Sequence, residues 1–131
     1  MEWVIEGILA RAARPGRYDP IEAIHAAVEA WIAEAQDMGI QSIICLMPDA
    51  EMEAKYGQYG INLLELYEQT GFQIHQQPVI DRQNPPVGEA DLARIIGAFA
   101  QLPYPAMVHC SAGVDRTGAA IDALLEQFAD E

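Results

Sequence analysis

Short unbroken apolar runs alternate along this chain with longer stretches whose apolar residues recur every three or four positions. The runs predict strands and the spaced stretches predict amphipathic helices. Trp3-Val4-Ile5 and Ile8-Leu9-Ala10 read as two short strands separated by Gly7, followed by an arginine-rich turn at Arg11, Arg14, Pro15-Gly16 and Arg17. A helix is then well marked. Asp19 can N-cap it, Pro20 suits a first turn, and Glu22 completes an Asp-x-x-Glu capping pattern. Its apolar stripe is Ile21, Ile24, Ala27, Val28, Trp31, Ile32 and Ala35, with Gly39 as the stop. Ile40 to Met47, centred on Ile43-Ile44-Cys45-Leu46, predicts a strand covered on both faces.

Pro48 to Gly57 is polar and predicts a loop or a short helical turn. Ile61 to Thr70 predicts a second helix, stopped by Gly71, and Phe72 to His75 alternates like a strand. Gln77 to Gly88, with Pro78, Pro85 and Pro86, predicts an irregular loop. Glu89 to Leu102 returns to helical spacing through Leu92, Ile95, Ile96 and Phe99. Pro105 to His109 predicts a short buried strand, and Thr117 to Phe128 a last helix with Ile121, Leu124, Leu125 and Phe128 on one face. Strands alternating with helices predict an α/β fold with a central, mostly parallel sheet flanked by helices. There is no internal repeat, low-complexity tract or linker, so residues 1–131 read as one domain.

Charge narrows the choice of function. Twenty acidic residues against seven basic ones give a formal net charge of −13. Such a chain repels nucleic acid and anionic lipid at long range, and it has no basic stripe or tail. At 51% hydrophobic it has the composition of a globular protein, yet no apolar run approaches the roughly 20 residues of a membrane span. Nucleic-acid and membrane partners are therefore not expected. The N-terminus lacks a signal-peptide pattern, and two cysteines, Cys45 and Cys110, make neither a disulfide framework nor a zinc site. A reducing cytoplasm, with no metal and no cofactor, is the expectation.

The chemistry is concentrated in His109-Cys110-Ser111-Ala112-Gly113-Val114-Asp115-Arg116-Thr117-Gly118. A buried strand delivers Cys110 to a tight loop that runs into a helix N-terminus, where free backbone N–H groups and the helix dipole favour an anion. The same surroundings favour the cysteine as its thiolate. Arg116 can fold back over the loop and hold two oxygens of an oxyanion, which lysine would not reproduce. The Thr117 hydroxyl is placed to hydrogen-bond the sulfur. A cysteine six residues before an arginine occurs often by chance; at a strand-to-helix junction, with Gly113 in the loop, it is rarely accidental.

This loop resembles the signature loop of the cysteine-dependent protein tyrosine phosphatase superfamily. Trp3 to Arg11, with Ala13-Arg14-Pro15 behind it, is similar to the N-terminal strands of small atypical dual-specificity phosphatases. Gln77-Pro78-Val79-Ile80-Asp81 through Asn84-Pro85-Pro86 resembles their general-acid loop, with Asp81 standing 29 residues before Cys110. The resemblance implies a phosphoric monoester hydrolase, a protein tyrosine or dual-specificity phosphatase, working through a cysteinyl-phosphate. Cys110 would be the nucleophile, Asp81 the general acid, and Arg116 with the amides of Ser111, Ala112, Gly113, Val114 and Asp115 the phosphate cradle. His109 would fix the loop from beneath, and Thr117 would support the thiolate. Asp115 is the rival acid.

A phosphorylated protein or a small aryl phosphate is the implied substrate. The loop positions Ser111, Ala112, Val114 and Asp115 lack the lysines common in phosphoinositide-directed relatives. Arg11, Arg14, Arg17 and Arg82 fall in segments that the resemblance places around the cradle, and Arg82 could contact a second anion. Cys45 could lie near Cys110 and protect it from oxidation. Two other readings compete: a phosphate-binding pseudophosphatase or scaffold, and a sulfurtransferase-like or arsenate-reductase-like enzyme. After the loop the chain is shorter than the family usually provides, implying either a reduced C-terminal helical part or completion by another subunit.

Overall fold

The computed structural model describes residues 1–129. Five strands, β1 (Glu2–Ile5), β2 (Leu9–Ala12), β3 (Ser42–Cys45), β4 (Gln73–Gln76) and β5 (Ala106–His109), form one sheet in the order β1-β2-β5-β3-β4. β1 pairs antiparallel with β2, and every other pairing is parallel. This is the α/β architecture that the alternating pattern predicts. β3 and β5 are buried throughout, as inner strands of a sheet covered on both faces must be, while β1 and β4 at the edges are partly exposed.

Helices α1 (Ile24–Asp37), α2 (Asp49–Lys55), α3 (Leu63–Thr70), α4 (Glu89–Gln101) and α5 (Asp115–Ala129) complete the layers. One core packs Val28 and Trp31 of α1 and Leu63 and Tyr67 of α3 against Ile43, Cys45 and Met107. The opposite core packs Ile95 and Phe99 of α4 and Ile121 and Leu124 of α5 against Ile44, Leu46 and Val108. Successive residues of each strand thus serve opposite cores. Among the described residues, no helix is long and apolar enough to cross a membrane.

Three local expectations change. Asp19 does not cap: Ile21–Ala23 forms a 3-10 turn behind Pro20 with no side-chain cap, α1 starts at Ile24, and Ile21 is exposed. The reason is that the chain already turns upstream, with the N–H of Asp19 donated to the Gly16 carbonyl and that of Ala23 to Pro20. Pro48 to Gly57 contains a true helix, α2, with Asp49 and Glu51 in its first turn and Lys55 in its last, charges that suit the helix dipole. The last helix begins at Asp115, two residues before its expected start, which brings Arg116 into its first turn.

The four parallel strands end on one edge, and ligand sites of open parallel sheets lie outside such carboxyl ends. The loop after β5 is pressed there against the end of β2. Gly113, at φ +74°, sits so close that a Cβ would lie 2.6 Å from the Ala12 carbonyl oxygen and 2.7 Å from the Ala13 nitrogen. Gly39 has a similar φ of +80° but open space around it. A left-handed alanine costs about 1–2 kcal/mol by itself. Gly113→Ala should therefore lower the denaturant midpoint clearly more than Gly39→Ala; equal losses would contradict the close approach.

Candidate active site

β5 ends in His109, and the imidazole turns into the core shared by α1 and α3. It packs on Trp31 and Tyr67, with ring centroids 5.5 and 5.9 Å away. Its Nδ1 lies 3.1 Å from the Cys110 carbonyl oxygen, which can only accept, so Nδ1 carries the proton. Nε2 then accepts from the Tyr67 hydroxyl at 3.0 Å. Burial drives the histidine down to about 4 and the tyrosine well above its ordinary range, so both stay neutral.

Cys110, 2% exposed, enters the opposite core, and residues 111–114 bend from it into α5. Three side chains, one from β2 and two from the segment after it, brace this loop. Arg11 Nη2 donates to the Gly113 carbonyl at 2.8 Å, Arg14 Nε to Ser111 Oγ at 3.3 Å, and the Tyr18 hydroxyl to the Ala112 carbonyl at 3.5 Å. Val114 and Asp115 are exposed at the rim.

Arg116 is 1% exposed and carries the most partners in the site. Nη1 and Nη2 each donate to a carboxylate oxygen of Glu51 at 3.0 Å, a bidentate pair, and Nη1 also donates to the Val79 carbonyl at 2.9 Å. Burial alone would depress its pKa; the hydrogen bonds and charge of Glu51, then Cys110 and Asp81, raise it instead. Nε stands 3.3 Å from Asp81 Oδ1, an ion-pair distance without hydrogen-bond alignment. Two buried donors thus lack a hydrogen-bond partner among the described residues, Arg116 Nε and Thr117 Oγ1.

Asp81 is half exposed at the tip of the segment after β4. Its Oδ1 also accepts from the N–H of Arg82, which sits at φ +62°, a costly conformation for a side chain of this kind. The segment is anchored by Val79, whose N–H donates to Leu46 and whose side chain is buried, and by Gln77, which donates to Asp91 of α4 at 2.8 Å. The structure brings Asp81 and the charge of Cys110 to Arg116, buries Thr117 in the next position, and leaves Asp115 exposed. Arg82 is exposed, and Arg17 lies over the Tyr18 ring rather than on the loop.

Glu51 is a site residue that lies outside every motif of the sequence. Its signal was weak but present: Pro48 followed by acidic residues and a lysine one turn later marks a short helix. Cys45 pairs in register with His109, but its side chain enters the core of α1 and α3 while Cys110 enters the other. Burial pushes the Cys45 thiol up to about 12, and its Sγ lies 4.0 Å from Met52 Sδ, an arrangement that favours packing over exchange with Cys110. Among the described residues, no three His, Cys, Asp or Glu side chains are grouped to hold a metal ion.

Residues 16–129 match the family model for a polymorphic toxin system DSP-PTPase phosphatase. The chain belongs to this family. Solved structures at 17–21% identity share its fold. The kinase-associated phosphatase KAP, with its catalytic-site cysteine substituted by serine, superposes with a TM-score of 0.67 at 21% identity, over 93% of this chain and 66% of that one. A DUF442 protein from Shewanella putrefaciens CN-32 gives 0.68 at 17% identity, over 100% and 69%. The core catalytic domain of the PP-IP phosphatase SIW14 from S. cerevisiae, in complex with citrate, gives 0.61 at 20% identity, over 95% and 65%. This chain therefore spans about two thirds of their lengths. No curated protein sequence matches it.

Two outcomes test the site's construction. An unfolded His109 takes up its proton near 6.5 and the folded one only near 4. The depressed value means that its contribution to stability is complete above 6.5 and is lost as the pH falls toward 4, a swing of a few kcal/mol. Denaturant unfolding should show wild type losing more stability across that window than His109→Gln; identical losses would contradict a neutral buried imidazole. Second, Glu51→Ala removes the bidentate partner of a buried guanidinium and should cost about 3–5 kcal/mol. A loss below about 1 kcal/mol, the worth of an exposed pair, would show that Arg116 does not depend on Glu51.

Proposed function

We propose that this DSP-PTPase family member is a phosphoric monoester hydrolase that uses Cys110 as nucleophile and requires no metal. The observation that carries this reading is a buried Cys110 at the start of the loop and two buried donors at its end, Arg116 Nε and Thr117 Oγ1, that have no hydrogen-bond partner among the described residues. Buried donors are costly to leave unpaired, and a thiolate with a phosphoryl oxyanion beside it would satisfy both. The fold likeness to KAP, a phosphatase with a catalytic-site cysteine, supports the same role for Cys110.

In this mechanism the Cys110 thiolate attacks phosphorus in line, forming an S–P bond as the P–O bond to the leaving group breaks. The N–H groups of Ser111 to Arg116 and the Arg116 guanidinium stabilise the charge on the three equatorial oxygens. Thr117 stabilises the thiolate. Asp81, protonated, gives its proton to the leaving oxygen and then takes one from the water that cleaves the cysteinyl-phosphate. For the acid to act it must leave Arg116 Nε, which the phosphate takes over. Its Oδ2, without a hydrogen bond among the described residues, is the atom suited to carry the proton.

A half-exposed acid and a loop of small side chains suit a shallow site, so phosphotyrosine in a protein, or an aryl phosphate, is the substrate class, with phosphoserine and phosphothreonine also within reach. Hydrolysis of an aryl phosphate by four proteins tests the reading. Cys110→Ser should abolish turnover, Asp81→Asn should lower kcat by about 10²-fold or more, and Asp115→Asn should change it by less than about threefold. Undiminished turnover in Cys110→Ser would rule out the covalent mechanism, and a larger loss in Asp115→Asn than in Asp81→Asn would reverse the acid assignment. Phosphate binding without any hydrolysis by wild type would instead fit a pseudophosphatase.

A further inference from the structure

Seven basic side chains stand against twenty acidic ones in this chain, yet among the described residues only Arg94 and Arg116 form ion pairs. Arg14 is a partly buried guanidinium held on neutral groups alone. Its Nε donates to Ser111 Oγ at 3.3 Å, its Nη1 to the Pro15 carbonyl at 3.4 Å, and it lies 5.7 Å from the centre of the Tyr56 ring. Those hydrogen bonds are long for a charged donor. Its position is nevertheless fixed: its own N–H donates to the Ser111 carbonyl at 2.9 Å, and buried Tyr56 is tied by its hydroxyl to Pro15. A freely solvated arginine would have neither restraint.

Ser111 is the residue next to Cys110, so this cation stands at the wall of the cradle. The sheet order sets the rest of the geometry. Arg14 follows β2, on one side of β5, whereas Asp81 comes from the segment after β4, on the other. The cradle therefore has the acid on one flank and, on the other, a guanidinium without a carboxylate partner among the described residues. The positive field of Arg14 also reaches His109 beneath the loop, along with that of Arg116.

We propose that Arg14 is a specificity residue that binds a second anionic group of the substrate, a carboxylate or phosphate adjoining the phosphoryl group in the cradle. The proposal rests on the phosphatase reading and sharpens its substrate class. An overall charge of −13 repels polyanions at long range. A second anion held at contact distance by a fixed guanidinium gains affinity locally, because salt screens such a short contact much less than it screens the distant charges. The carboxylate of an acidic residue beside a phosphotyrosine and a second phosphate on the same molecule share this chemistry.

The test uses three phosphotyrosine peptides that differ only in the neighbouring residue: alanine, glutamate or phosphoserine. Each is measured as kcat/KM on active protein and as Kd on the Cys110→Ser background, with Arg14→Gln, Arg14→Lys and Arg82→Gln introduced into both. Using ratios between peptides cancels any loss of folded protein. The expected result is a preference of about fivefold for an anionic neighbour over alanine, equivalent to about 1 kcal/mol. Arg14→Gln should bring the ratio to near one, and Arg14→Lys should keep part of it. Preference for both anionic peptides identifies any adjoining anion as the determinant, and preference for phosphoserine alone identifies a second phosphate. Equal handling of the three peptides by wild type, or a preference that survives Arg14→Gln and is lost in Arg82→Gln, would overturn the proposal. Absence of turnover with the Kd ratio intact would sink the phosphatase reading and leave the Arg14 subsite standing.

Discussion

A guanidinium taken out of water must be matched by charge and hydrogen bonds, and at the carboxyl edge of this sheet Arg116 imposes that requirement. Its partners come from two separate parts of the chain: Glu51 from α2, and the Val79 carbonyl with Asp81 from the segment after β4. Satisfying one buried cation thereby fixes how α2 stands over the sheet and where the acid-bearing segment crosses it. Only the Nε edge remains without an aligned hydrogen bond, and it faces Asp81. The guanidinium is thus a structural centre with one donor left without a hydrogen bond among the described residues.

Beneath the loop a second, neutral constraint operates. The Tyr67 hydroxyl, the His109 imidazole and the Cys110 carbonyl form a chain in which each donor has one acceptor, and Trp31 and Phe72 pack around it. Because burial keeps both ring systems uncharged, the chain holds the backbone at Cys110 without adding charge under it. The cysteine side chain points the other way, toward α4 and α5. The rigid support and the Cys110 thiol are therefore separated by the sheet itself, which follows from the alternation of side chains along β5.

How much of this is legible in the sequence depends on how local each feature is. The ten residues from His109 to Gly118 are contiguous, and their chemistry follows from a strand running into a helix; the sheet and its helices follow from apolar spacing. Asp81 is legible only through family resemblance, since nothing in its own surroundings distinguishes it from any aspartate in a proline-rich turn. Glu51 is one acid among twenty, and its meaning exists only because the parallel pairing of β3 with β5 brings α2 beside the loop. Asp19 carried a convincing capping pattern that the structure does not use, because turns at Gly16 and Pro20 already satisfy the backbone there. Arg14 falls between these cases: its presence in an arginine-rich turn is plain, but its contact with Ser111 joins residues 97 positions apart.

The central claim is that the loop after β5 passes a phosphoryl group through Cys110. The most direct measurement is acid quenching of wild-type protein within the first turnovers of an aryl phosphate, followed by mass analysis of the peptide spanning the loop. The account predicts an added phosphoryl group on Cys110, accumulating further when Asp81 is replaced by Asn. Turnover with Cys110 unmodified, or with the phosphoryl group on another residue, would contradict it.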